Sequence, residues 1–152
     1  MTWLPEQAAG TGSFERAFGL RPNLFAAWRA FAALFWDAGL VDPIVLELCR
    51  LRIGQMHGAA CPRPTESPVS LPARQADELA TWWRSDAYGE TERACLRFAE
   101  QFALDPKGIT DPEAGAVTDA LGDAGTVAFV EALAIFDGFA RFARILELGE
   151  TE

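Results

Sequence analysis

Apolar positions along the chain recur at the three- and four-residue spacing of helices, and no segment alternates as a strand would. The run LFAAWRAFAALFWDAGL, introduced by Pro22 and Asn23 and stopped by Gly39, is apolar on nearly every side, with Trp28, Phe31, Phe35 and Trp36 at helical spacing. A helix of that kind must be covered, by the domain core or by another subunit. Asp42 and Pro43 form a cap and first-turn pair for a second helix over about 43–57, and Gly58 is its natural terminator. Between Cys61 and Ser70 three prolines each lack an amide hydrogen and each disfavour helix in the residue before, which predicts an irregular loop.

A third helix is expected over about 71–84, with the polar string RQADE first and the apolar LATWW late. After a turn at Ser85–Gly89, ETERACLRFAEQFAL sets Cys95, Phe98, Ala99 and Phe102 on one face and charges on the other. Thr110 and Glu113 then read as a capping box, with Pro112 in the first turn, for a short helix ending near Gly122. Asp123 opens the last helix, which runs to about Leu148 and carries Arg141 and Arg144 toward its negative end. The pattern predicts an all-α bundle of about six helices. Residues 1–22, rich in glycine, proline and small polar residues, read as a flexible N-terminal arm, and 23–149 as one domain.

Composition narrows the function classes. At 152 residues, half of them hydrophobic and 23% charged, the chain has globular composition and suffices for one core. A formal charge of -9 with scattered arginines argues against nucleic acid as a partner. No apolar stretch is long enough to span a bilayer and the first residues lack a signal-peptide pattern, so the expected setting is cytoplasmic, with no membrane partner. Three cysteines without a close pair fit reduced thiols in such a compartment. Neither a metal nor a cofactor is expected, since the one histidine has no cysteine or histidine at ligand spacing.

Three strings, GLVDPIVLELCRLRIGQMHG, TWWRSDAYGETERACLRFAEQFALDP and EALAIFDGFARFARILEL, resemble the carboxymuconolactone decarboxylase and alkylhydroperoxidase-D-like (AhpD-like) superfamily, over nearly all of Pro22–Leu148. The resemblance implies a helical bundle assembled as a homo-oligomer, trimer or hexamer. Peroxidase members carry a glutamate, a Cys-x-x-Cys pair and, after three intervening residues, a histidine. One thiolate attacks the peroxide, its neighbour captures the sulfenic acid, and glutamate and histidine manage protons. Matched without gaps, Glu47 falls on the family glutamate, but Ala59 and Pro62 stand at the two cysteines and Glu66 at the histidine. A one-residue gap makes Cys61 the second cysteine, with Gly58 as the first and Thr65 as the histidine. Neither alignment restores the pair, which argues against dithiol peroxidase activity. The lactone decarboxylase branch provides a precedent for acid–base chemistry without a cysteine pair.

The candidate catalytic residues are therefore Glu47, His57 and Cys61, with Asp137 and Arg63 as candidate binding residues. Glu47 is a proton-transfer group or a structural partner of Arg50, Arg52 or an arginine of a neighbouring helix. His57, next to Gly58, is the best acid–base candidate, or else a helix-end residue near the negative end of the dipole. Cys61 is a lone nucleophilic thiol assisted by Arg63, or an ordinary loop cysteine. Asp137, beside Gly138 in an apolar helix, lines a polar pocket or makes a structural hydrogen bond. Together these imply a pocket near Glu47, His57 and the proline loop that binds or transforms a small organic molecule. The alternatives are a non-catalytic oligomeric scaffold and a single-cysteine peroxidase.

Overall fold

The structure, a computed structural model, describes residues 13–37, 39–59 and 69–148. Within them lie six α-helices and no strand: α1 (Ser13–Phe18), α2 (Pro22–Asp37), α3 (Pro43–His57), α4 (Ala73–Glu78), α5 (Glu90–Leu104) and α6 (Asp111–Ile145). The all-α architecture is the one the pattern predicts. None of these helices is long and apolar enough to cross a membrane.

The helix ends follow their local chemistry. Asp42 accepts from the Ile44 amide at 2.8 Å ahead of Pro43, and Gly58 closes α3 in the left-handed conformation (φ 61°), returning its amide to the last turn. The Glu113 carboxylate accepts from both the amide and the hydroxyl of Thr110, at 2.9 and 2.8 Å. Those bonds hold the Glu113 carboxyl below the usual carboxylate range. The predicted break at Gly122 is a glycine at φ 69°, ψ 174° inside α6, where two helical segments abut.

Helices α3, α5 and α6 pack on one another most extensively, around Leu46, Leu48, Ile53, Leu96, Phe129, Leu133 and Phe136. Their burial is the main stabilising contribution, since removing apolar area from water is worth about 25 cal/mol per Å². The third predicted helix departs from expectation. α4 passes at Leu79 into a 3-10 helix, Leu79–Arg84, with Thr81 outside helical geometry. The change of winding buries Trp82 while leaving Trp83 exposed. In the turn that follows, Tyr88 donates to the Gln75 carbonyl, Arg93 donates to the Ser85 and Tyr88 carbonyls, and Glu92 accepts from the Gly89 amide at 2.7 Å.

The reading of 1–22 as a flexible arm is corrected in its described part. Ser13–Phe18 is helical, and Phe14 and Phe18 are buried against Trp28, Phe139 and Phe142 with ring centroids 5.4–5.9 Å apart. Two rings four residues apart share one helical face, and aromatic packing overrides the loop-like composition. Residues 1–12 lie outside the described part. α2 is only partly covered: Trp28, Ala32, Phe35 and Trp36 are buried, whereas Leu24, Phe31 and Leu34 stand exposed.

Candidate functional site

Glu47 and His57 both belong to α3, ten residues apart and hence about 15 Å along its axis. The two side chains are therefore reached at different heights of the same helix. Glu47, only 5% exposed, receives both prongs of Arg50: Nε donates to Oε2 and Nη2 to Oε1, each at 2.9 Å. An arginine partner expected for Glu47 is thus present. Arg52 turns elsewhere, its Nε donating to Glu100 Oε1 on α5 at 2.6 Å. The same oxygen accepts from the buried Trp82 indole at 2.9 Å, and the Arg52 guanidinium lies 5.9 Å from the Trp83 ring centre.

His57 meets a residue 80 positions away. Its Nε2 lies 2.6 Å from Asp137 Oδ1, the two side chains being 17% and 19% exposed. Asp137 Oδ2 accepts from Arg141 Nε at 2.8 Å, one turn further along α6, and Arg141 Nη2 donates to the Ala103 carbonyl at 3.1 Å. α3 ends at His57 because Gly58 follows, and the α3–α6 packing brings that end against Asp137. Two residues singled out separately in the sequence thus form one cluster, and Asp137 makes an interhelical hydrogen bond. Arg141, Glu100 and Trp82 were not among the candidates read from the sequence. A tryptophan on an apolar face needs a partner for its indole N–H, and that signal could have pointed to Glu100.

Cys61 and Arg63 lie outside the described residues. The other two cysteines are free thiols in the core. Burial first, then the charges of Cys95 and Glu100, pushes the Cys49 thiol well above its ordinary range. Burial and then Glu92 push Cys95 up to about 12. Neither is a thiolate nucleophile near neutrality. In a Cys61→Ser variant, Ellman's reagent should find no fast-reacting thiol in the native protein and two after denaturation; rapid native labelling at Cys49 or Cys95 would contradict the buried placement. Alkali should also destabilise the protein. Between about 9 and about 12 the folded chain keeps the Cys95 proton that the unfolded chain releases, so stability falls as pH rises through that window. Cys95→Ala should flatten that slope in urea titrations at successive pH values.

Among the described residues no group of three or more His, Cys, Asp or Glu side chains is placed to hold a metal ion. A cleft of about 340 Å³ opens between α5 and the start of α6, lined by Glu90, Arg93, Arg97, Pro112 and Glu113 among others. It contains neither Glu47, His57 nor Asp137.

No protein-family profile matches the sequence, and no curated protein matches it. Among solved structures, the chain is similar to a protein of unknown function from Agrobacterium tumefaciens, described as a candidate antioxidant defence protein AhpD. The TM-score is 0.74 at 19% identity, over 90% of this chain and 96% of that one. The fold is AhpD-like. The three cysteines of this sequence stand at 49, 61 and 95, with no Cys-x-x-Cys pair. The same AhpD-like fold brings the end of α3 against α6, where His57 and Asp137 meet.

Proposed function

We propose that the chain is a member of the AhpD-like and carboxymuconolactone decarboxylase superfamily that lacks dithiol peroxidase activity. It binds or transforms a small organic molecule by acid–base chemistry centred on His57 and Asp137, in a reducing, cytoplasmic setting. The observation that carries this reading is the 2.6 Å contact between His57 Nε2 and Asp137 Oδ1. A carboxylate that orients an imidazole is the arrangement by which a histidine is made an effective base. Glu47, closed by Arg50, takes a structural role.

The chain acts as a homo-oligomer, trimer or hexamer. Support comes from Leu24, Phe31 and Leu34, which lie on one exposed apolar stripe of α2, a surface that a second copy would bury. Light scattering should find a mass at least three times that of the 16.5 kDa chain; a monomer at micromolar concentration would refute the assembly.

The chemistry is tested by incubating the protein in D2O with small lactones, β-keto acids and enolisable carbonyl compounds, and following deuterium uptake or turnover by NMR. At least one compound should react, and His57→Gln should lower its rate by about 10²–10⁴-fold, the range of general acid–base contributions. No reaction across the panel, or a His57→Gln rate equal to wild type, sinks the reading and leaves the scaffold role. A sulfenic-acid trap with peroxide separates the single-cysteine reading, which requires selective labelling of Cys61.

A further inference from the structure

His57 offers two ring nitrogens, and the structure distinguishes them. Nε2 is engaged with Asp137 Oδ1 at 2.6 Å, while among the described residues no hydrogen-bond partner faces Nδ1. The opposite carboxylate oxygen of Asp137 accepts from Arg141 Nε at 2.8 Å. The Arg141 guanidinium is anchored in turn on the Ala103 carbonyl, in the last turn of α5, where helix carbonyls lack intrahelical donors. The cluster therefore ties together α3, α6 and α5.

We infer that His57 works through Nδ1, as a proton acceptor, with Asp137 and Arg141 as positioning residues that fix the imidazole in its Nε2–H tautomer. This inference rests on the acid–base reading of the same cluster. A carboxylate that takes a guanidinium N–H on one oxygen has only acceptor capacity on the other, so the proton between Asp137 and His57 belongs to Nε2. The neutral ring then carries its lone pair on Nδ1. Under the acid–base reading the substrate is a carbon acid, with its proton on the carbon next to a carbonyl, delivered to Nδ1. In that step the C–H bond breaks, its electron pair passes into the enolate, and Nδ1 gains the proton to give an imidazolium paired with Asp137. Reprotonation at carbon or at oxygen returns the ring to its starting state.

The chain has a single histidine, so one imidazole signal set reports the site without assignment. Long-range ¹H–¹⁵N correlation on uniformly ¹⁵N-labelled protein, at a pH high enough to leave the ring neutral, should give a protonated Nε2 and an unprotonated Nδ1, identified by their couplings to the two ring carbon protons. Asp137→Asn should shift the tautomer balance away from Nε2–H. Arg141→Gln, with helicity unchanged by circular dichroism, should speed exchange of the Nε2 proton and broaden its signal, and Arg141→Lys should restore part of the sharpness. A wild-type ring that is Nδ1–H, or that averages between tautomers, overturns the inference. An unchanged signal in Arg141→Gln overturns the positioning role of Arg141. These outcomes need no substrate, so they fail independently of the turnover screen.

Discussion

Phe129→Ala should lower the free energy of unfolding by about 3–5 kcal/mol, the range for emptying a fully buried aromatic site. Phe129 is 0% exposed on α6, in the core shared with α3 and α5, with the Phe98 ring centre 6.0 Å away. Removing the ring loses its transfer energy, and the cavity persists because three helices meeting there cannot all move inward. Urea unfolding followed by circular dichroism should show a lower midpoint at unchanged slope. A loss under about 1 kcal/mol would mean that α6 collapses onto its neighbours, against the close-packed core described here. Phe31→Ala provides the contrast, because Phe31 is 49% exposed on α2. Its effect in the isolated chain should stay within about 0.5 kcal/mol. If the proposed assembly forms, a larger loss that grows with protein concentration is expected, since association stabilises by mass action.

Much of the fold was legible because helix boundaries are written in a few residues with strong local chemistry. Asp42 with Pro43, Gly58, and Thr110 with Glu113 mark ends that depend on no distant contact, and Gly122 marks a break for the same reason. Where tertiary packing decides, the pattern misled. Ser13–Phe18 sits among glycines and polar residues, and its helix persists because Phe14 and Phe18 dock on Trp28 and Phe139. The 3-10 winding at Leu79–Arg84 is likewise set by what Trp82 reaches, a glutamate 18 residues on.

The two members of the His57–Asp137 contact were legible as residues and not as a pair. His57 and Asp137 each stand out as polar groups in poor places, but their pairing depends on where α3 crosses α6, information that spacing along one chain does not contain. Glu47 stood out only through a sequence resemblance, and ten residues of helix separate it from His57. The absence of a Cys-x-x-Cys pair is plain from residue identity alone, because it depends on no fold.

Glu100→Ala should be the most damaging single change among the polar groups, lowering stability by about 2–4 kcal/mol, because it strands two donors at once. Glu100 Oε1 accepts from Arg52 Nε at 2.6 Å and from Trp82 Nε1 at 2.9 Å, and Trp82 is only 2% exposed. Arg52 is partly exposed and can turn toward water, so its share of the loss is the smaller. The indole N–H cannot reach water, and an unsatisfied buried donor costs about 1–3 kcal/mol. Glu100→Gln separates the two effects: its amide oxygen still accepts from Trp82 while the charge facing Arg52 is gone, so its loss should be about 1 kcal/mol. A double-mutant cycle with Trp82→Phe checks the attribution, because once the indole is absent Glu100→Ala has less left to strand. If Glu100→Ala costs the same with tryptophan and with phenylalanine at position 82, the indole bond contributes nothing, and the glutamate acts through Arg52 alone.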